Sequence, residues 1–208
     1  MKIICVARNY PLHAREIGAA LPERPIFFIK PATAYAASGI VSYPTFSQQL
    51  EYEAELVFRI VQRAKNISSE NALSIVDAIT VGIDFTARDL QTQLKQQGLP
   101  WEMAKAFDGS VWWGTWQPTP PDWENIPFRL FREKHLLQEG YGRDMLFPLS
   151  RLLAEASQYF TLEPGDVFFT GTPHGVGKVL PSDSFSVYLG DSLVGKVQVQ
   201  SPSTCTAS

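Results

Sequence analysis

The chain has 208 residues, of which 45% are hydrophobic and 19% are charged. This supply of apolar side chains is enough for a sizeable core and excludes an intrinsically disordered protein. The net charge is −3 and the lysines and arginines are scattered, so a nucleic-acid partner has no electrostatic support.

The cysteines and the apolar segments exclude further classes. Cys5 and Cys205 are the two cysteines, too few for a disulfide scaffold and not spaced as a metal-binding pair. The apolar run after Met1 is too short for a signal peptide, and no segment approaches the roughly 20 apolar residues of a membrane span. We therefore expect a soluble cytoplasmic protein, without a membrane partner, built as a single domain over residues 1–208.

The first predicted elements are a short buried strand at residues 3–6 and a helix beginning at Pro11, which suits a first helical turn. His13 and Glu16 would share a face of this helix because they are three residues apart. A carboxylate beside an imidazole orients the ring, as a general base requires. A solvated surface pair is the other interpretation, and the spacing alone favours it.

A second strand is predicted at residues 25–31, where Lys30 precedes a proline. Lys30 could belong to a site or end the strand in solvent, and the local pattern favours solvent. Residues 32–48 are rich in small residues and proline, and we expect a connecting loop with a short strand at 39–42.

Residues 51–60 form the most informative predicted strand, because they carry carboxylates at Glu51, Glu53 and Glu55. Every second side chain of a strand points to the same face, so these three would project together and repel one another. A hard divalent cation such as Mg²⁺ would turn that repulsion into attraction. The spacing does not indicate which of the three would bind it.

The next apolar strand, residues 78–85, ends near Asp84. This carboxylate could share a metal with Glu53 and Glu55, or it could cap a following helix, and the pattern does not choose between the two. Residues 91–103 are polar and indicate a surface loop. Lys105 lies three residues before Asp108, so the two could form an ordinary exposed pair.

The second half of the chain reads mainly as strands. Trp112, Trp113 and Trp116 indicate core or interface packing. A hairpin is predicted at residues 126–140, a helix at 149–159 and antiparallel strands in the tail. A buried strand at 167–170 opens into a Gly-rich loop, residues 171–177, where backbone N–H groups can approach an anion.

Six segments together resemble the fumarylacetoacetate hydrolase family, in its order and over nearly the whole chain. The segments are residues 8–10 with His13 and Glu16, 27–31, 52–56, 84–91, 105–108 and 165–177. The resemblance is to the short, single-domain members. It implies a mostly β architecture of the α+β class, a mixed β-sandwich or roll with a few short helices.

The resemblance implies a metal site with Glu53, Glu55 and Asp84 as carboxylate ligands to Mg²⁺ or Mn²⁺. Glu51 falls where the family varies, so it would lie outside the ligand set.

The resemblance also implies a catalytic apparatus. His13 and Glu16 would form the dyad that activates water, and Lys105 would stabilise oxyanion charge beside the metal. Thr172 would hold a substrate carboxylate in the Gly-rich loop. Two further residues in matching segments are candidate substrate contacts, Arg8 and Lys30.

The activity implied is that of a metal-dependent hydrolase or lyase acting on a small 2-oxo acid such as an acylpyruvate. The same residues would also serve oxaloacetate decarboxylation, keto–enol tautomerisation or isomerisation of a hydroxymuconate-type diacid. A competing hypothesis from another class is a non-catalytic protein that binds metal or carboxylate on the same scaffold. Family members are commonly homodimers, and the Trp-rich segment is a candidate for the contact.

Overall fold

The computed structural model describes residues 1–201, which consist mainly of strands joined by short helices. The predicted fold class is confirmed, whereas Cys205 lies outside the described residues. The strands are β1 (Ile3–Ala7), β2 (Ile26–Lys30), β3 (Ile40–Ser42), β4 (Leu50–Ile60), β5 (Val76–Ala87), β6 (Val111–Trp113), β7 (Gln117–Pro118), β8 (Phe128–Arg132), β9 (His135–Gly140), β10 (Val167–Phe169), β11 (Gly177–Lys178), β12 (Ser184–Leu189) and β13 (Ser192–Gln200). The helices are α1 (Pro11–Glu16), α2 (Arg88–Gln96), α3 (Glu102–Lys105) and α4 (Leu149–Tyr159).

The strands form two mixed sheets. The larger sheet runs β2-β1-β10-β4-β5-β6, with β11 also pairing with β4 and β7 with β5. The smaller sheet runs β3-β13-β12-β8-β9. The pairs β1–β10 and β3–β13 are parallel, and the other pairs are antiparallel.

The main hydrophobic core lies between the two sheets. It includes Phe58 and Phe85 from the larger sheet and Phe128 and Phe185 from the smaller one, all completely buried. Side chains from both inner faces therefore form one apolar layer, as in a β-sandwich.

The helices confirm one prediction and correct another. Helix α4 buries Leu149, Leu152 and Leu153, as its apolar spacing predicts. The loop predicted from residue 91 is wrong over its first part, because α2 continues to Gln96. None of the helices within residues 1–201 is long and apolar enough to cross a membrane.

The Trp-rich segment packs within the chain. Trp112 and Trp113 are only 5% and 7% exposed, and Tyr35 stacks on Trp113 with ring centroids 3.6 Å apart. A Cβ atom at Gly82 would lie 2.7 Å from the Phe169 ring and from the Trp112 carbonyl oxygen, which explains glycine there. Trp112 and Trp113 are therefore core residues and have little surface left for a partner.

Candidate metal centre and active site

The site lies where the pairing of β4 is interrupted. Along one edge β4 pairs continuously with β5. Along the other edge it pairs with β11 at Glu51 and Tyr52, and with β10 at residues 57–59. Residues 53–56 therefore have no strand partner on this second edge. The chain between β10 and β11 is the predicted Gly-rich loop, so the fold brings this loop to the acidic strand.

Three buried carboxylates meet at this gap. Glu53 and Glu55 project from β4, and Asp84 lies directly opposite Glu53 on β5. One oxygen from each carboxylate lies within 4.8 Å of the others. Asp84 is inside a strand, and α2 begins only at Arg88, so the helix-cap interpretation of Asp84 is wrong.

Glu55 shows why these donors fit a divalent cation. Its Oε2 accepts the Gly171 N–H at 2.6 Å, but within residues 1–201 no basic side-chain nitrogen lies within 4.0 Å of its carboxylate. Burial, and then the charges of Asp84 and Glu53, raise the pKa of Glu55 well above its ordinary value. Carboxylate oxygens are the ligands that Mg²⁺ and Mn²⁺ prefer, and such an ion would supply the missing counter-charge.

Lys105 is the central cation of the cluster. Its Nζ donates to Glu53 Oε2 and Asp84 Oδ2, each at 2.9 Å, and to Thr86 Oγ1 at 2.6 Å. Burial alone would lower the pKa of Lys105, but Asp84 and Glu53 raise it above its usual range, so the amine stays charged. The alternative of an exposed pair with Asp108 is wrong, because Lys105 is buried.

Lys30 is a second, completely buried cation. Its Nζ lies 2.7 Å from Asp84 Oδ1 and donates to the Ser110 hydroxyl at 3.0 Å and to the Lys105 carbonyl. The interpretation that it ends β2 in solvent is therefore wrong. Lys30 is not among the cavity-lining residues, and its observed partner is Asp84, so we expect it to hold that carboxylate in place.

Lys30→Met is expected to lower the free energy of unfolding of the metal-free protein by about 3–5 kcal/mol, because it removes one partner of a buried ion pair. Denaturant unfolding by circular dichroism measures this change. Lys134→Met, at an exposed hairpin position, is the matched control and should change stability by less than about 0.5 kcal/mol. A loss below about 1 kcal/mol for Lys30→Met would contradict this role.

Arg88 is a site residue that the sequence did not reveal. Its guanidinium contacts Glu51 Oε2 at 2.6 Å, Glu53 Oε1 at 2.5 Å and Gln91 Oε1 at 2.6 Å. Burial raises the pKa of Glu53, but Lys105 and Arg88 more than offset it and hold that pKa well below its usual value. Glu51 is thus the partner of Arg88, and it is absent from the three-carboxylate group.

His13 and Glu16 form a pair at the mouth of the site. His13 Nδ1 lies 3.1 Å from Glu16 Oε2, and His13 is only 5% exposed. The second Glu16 oxygen accepts the Gly175 N–H at 3.0 Å, which joins α1 to the Gly-rich loop. The interpretation of a solvated surface pair is therefore wrong for His13.

A cavity of about 560 Å³ brings six of the nine predicted site residues together, whereas Glu16, Lys30 and Asp84 do not line it. A space of this size suits a small-molecule ligand. The predicted site residues among its lining are Arg8, His13, Glu53, Glu55, Lys105 and Thr172. Lining residues that sequence reasoning missed are Arg88, Gln91, Lys95 and Trp101.

The missed lining residues fall mostly in the segment predicted as a surface loop. Gln91 and Lys95 are four residues apart, which puts them on one face of α2. That spacing is compatible with a helix that presents both side chains on one face. The segment is so polar, however, that its sequence predicts a loop.

Comparison with known proteins shows the same family throughout. The family described as fumarylacetoacetate (FAA) hydrolase C-terminal matches residues 2–203. An oxaloacetate tautomerase of Bos taurus is 37% identical over 203 residues, which cover 96% of this chain and 92% of that protein. An oxaloacetate tautomerase of Escherichia coli is 35% identical over 201 residues, covering 94% and 92%.

A solved structure agrees with the architecture. The crystal structure of a fumarylpyruvate hydrolase of Pseudomonas aeruginosa, in complex with Mn²⁺ and pyruvate, matches with a TM-score of 0.86. The two chains are 32% identical, and the match covers 97% of this chain and 89% of that one. With these matches and the clustered carboxylates, the chain belongs to the fumarylacetoacetate hydrolase family, an enzyme family of metal-dependent hydrolases, isomerases and decarboxylases.

Proposed function

We propose that this enzyme interconverts the keto and enol forms of a small 2-oxo diacid of the oxaloacetate type. Glu53, Glu55 and Asp84 would hold the Mg²⁺ or Mn²⁺ ion. The observation that carries the proposal is one cavity lined by ligand carboxylates, a buried histidine and several cations. The tautomerase names of the two relatives support the choice of reaction.

His13 is the proton carrier in this proposal. Its Nδ1 faces the Glu16 carboxylate, so the proton of the neutral ring belongs on Nδ1. That leaves Nε2 as the base, which takes a proton from the carbon next to the keto group and returns a proton to the enolate oxygen. A base positioned in this way contributes about 10²–10⁴ in rate.

The enolate charge is stabilised from two sides. The metal ion, when bound, supplies a Lewis acid for the developing enolate. Lys105 adds a positive charge that three hydrogen bonds hold in place, so little reorganisation is needed as the charge develops.

The proposal of a diacid rests on two further cations that line the cavity. Arg8 and Lys95 line it, and neither forms an ion pair within residues 1–201. In this proposal they would bind a second carboxylate, while Thr172 would bind the carboxylate next to the keto group.

Hydrolysis of an acylpyruvate is the second candidate, because the buried dyad can also act on water. His13 would take a proton from a water molecule while the oxygen of that water attacks the acyl carbonyl carbon. The C–C bond would then break, and the pyruvate enolate would take up the proton that His13 removed from water. The name of the Pseudomonas aeruginosa structure supports this alternative.

A substrate panel tests both candidates and the non-catalytic hypothesis. Oxaloacetate, acetylpyruvate, fumarylpyruvate and a hydroxymuconate diacid would each be followed by ultraviolet absorbance, with Mg²⁺ and with EDTA. We expect Mg²⁺ to accelerate loss of the oxaloacetate enol and EDTA to abolish the effect. Faster cleavage of an acylpyruvate would favour the hydrolase, and tight binding without any turnover would support a binding protein.

We also propose that residues 1–208 act as one catalytic domain that forms a homodimer. Family membership supports this assembly, although the contact must use a surface other than Trp112 and Trp113, which the core already buries. Sedimentation velocity should give twice the mass of the 23.2 kDa chain, and a purely monomeric species would contradict the proposal.

A further inference from the structure

Gln138 is a buried amide that joins the two sheets at the site. It lies on β9 of the smaller sheet, is 2% exposed, and reaches the unpaired stretch of β4. Its Oε1 accepts the Ala54 N–H at 2.8 Å, between the ligand residues Glu53 and Glu55. Its Nε2 donates to Thr172 Oγ1 at 2.9 Å and to the Pro173 carbonyl at 3.0 Å.

The orientation of this amide is fixed by backbone groups of known polarity. The Ala54 N–H can only donate and the Pro173 carbonyl can only accept. Exchanging the oxygen and nitrogen of Gln138 would place two donors together at Ala54 and two acceptors together at Pro173. Nε2 must therefore face Thr172, and the Thr172 hydroxyl oxygen must accept its hydrogen bond.

The hydroxyl hydrogen of Thr172 is consequently left to point elsewhere. No described residue, 1–201, accepts a hydrogen bond from Thr172 Oγ1. Thr172 lines the cavity beside His13, Glu55 and Lys105. Its O–H is thus available to an acceptor atom of a ligand in that cavity.

We propose that Gln138 is a positioning residue that makes the Thr172 hydroxyl a hydrogen-bond donor to the carboxylate of the 2-oxo acid. Through Ala54 it also fixes the distance between this donor and the ligand-bearing strand β4. A hydroxyl free to rotate could offer either its hydrogen or its lone pairs. The Thr172 hydroxyl, whose oxygen accepts from Gln138, already directs its hydrogen towards an anionic ligand. The inference rests on the proposed function, because it assumes a 2-oxo acid bound at Thr172.

Pyruvate binding to the Mn²⁺-loaded protein tests this role, measured by titration calorimetry. Thr172→Val removes the donor and should weaken pyruvate binding about tenfold, the usual effect of one hydrogen bond to a charged group. Gln138→Met should weaken it by a similar factor, and the double variant should be no weaker than Thr172→Val alone. The Mn²⁺ affinity of each variant should stay within about twofold of that of the unmodified protein.

Gln138→Glu gives an independent test that preserves the size of the side chain. The new carboxylate can still accept the Ala54 N–H, but it would also accept the Thr172 O–H. The Thr172 oxygen would then present its lone pairs, not its hydrogen, to the ligand. Pyruvate binding should then weaken by at least tenfold, even if Gln138→Met does not fold. Ser157→Ala, which removes another buried hydroxyl that bonds the Ile67 N–H, should leave pyruvate binding unchanged.

Unchanged pyruvate binding in either Gln138 variant would overturn the inference. The inference would also be overturned if the loss of pyruvate affinity in the double variant equalled the product of the losses in the two single variants. A large loss of Mn²⁺ affinity would overturn it too, since either result would mean that Gln138 acts independently of Thr172. If the unmodified Mn²⁺ protein binds neither pyruvate nor oxaloacetate, the proposed function itself fails and this inference falls with it. If it binds oxaloacetate but not pyruvate, the same comparison of variants is made with oxaloacetate.

Discussion

Glu55→Gln is expected to weaken Mn²⁺ binding by more than about 100-fold while stabilising the metal-free protein. The amide can still accept the Gly171 N–H, but it no longer offers a charged ligand. Losses of 10–100-fold are typical when a residue that hydrogen-bonds a metal ligand directly is changed, so losing a ligand itself should cost more. Activity should fall with the metal affinity.

The stability gain follows from the environment of Glu55. It is 1% exposed and, within residues 1–201, has no basic side-chain nitrogen within 4.0 Å of its carboxylate, so the carboxyl group carries a desolvation cost in the absence of metal. Replacing this ionisable group by a neutral amide should raise the free energy of unfolding of the metal-free protein by about 1–3 kcal/mol. Denaturant titrations with and without Mn²⁺ measure both changes.

Glu51→Gln is the matched control for Glu55→Gln, because it makes the same chemical change on the same strand. Glu51 contacts Arg88 and lies outside the carboxylate group. Its substitution should therefore leave Mn²⁺ affinity within a few-fold. Equal losses in the two variants would show that all three strand carboxylates share the metal and would contradict the assigned ligand set.

His13→Ala is expected to lower kcat by about 10²–10⁴ on whichever substrate the panel identifies, because the variant loses its proton carrier. Metal affinity should be unchanged, since the ligands are carboxylates on β4 and β5. Steady-state kinetics with Mg²⁺, together with Mn²⁺ titration, separate the two effects.

His135→Ala is the control for this substitution, because His135 lies at the exposed start of β9. It should retain the kcat of the unmodified enzyme. Full turnover by His13→Ala would show that the dyad of His13 and Glu16 is not the base, and the mechanism would have to be abandoned.

The sequence could predict the acidic strand because its signal is local. A period of two places Glu53 and Glu55 on one face whatever the strand pairs with. The contact of Glu53 with Asp84 depends on the register of β4 against β5, which is set by long-range packing. The pattern offered Asp84 either as a metal ligand or as a helix cap, and only the family resemblance could choose the ligand role.

The buried cations could not be predicted from local pattern. Lys30 and Lys105 lie in segments that read as solvent-exposed, and each is buried only because carboxylates arrive from β4 or β5. Arg88 is hidden for the same reason, since its partners Glu51 and Glu53 are more than 30 residues earlier in the chain. Ion pairs between residues that are far apart in the chain produce no local sequence pattern, so they cannot be predicted from one segment.

The segment containing α2 shows a different limit. It reads as a loop because it is polar, and the helix buries only Gln91 and Leu94. A helix with so narrow a buried face gives a weak periodic signal. Its cavity-facing side chains were therefore missed together with the helix.

The most direct test of the account is a calorimetric titration of oxaloacetate into the protein with and without Mg²⁺. The account predicts binding when Mg²⁺ is present and loss of that binding in EDTA, because the 2-oxo carboxylate would bind through the metal ion that the three carboxylates hold. Oxaloacetate binding of equal strength in EDTA would contradict a metal-dependent 2-oxo acid site at Glu53, Glu55 and Asp84.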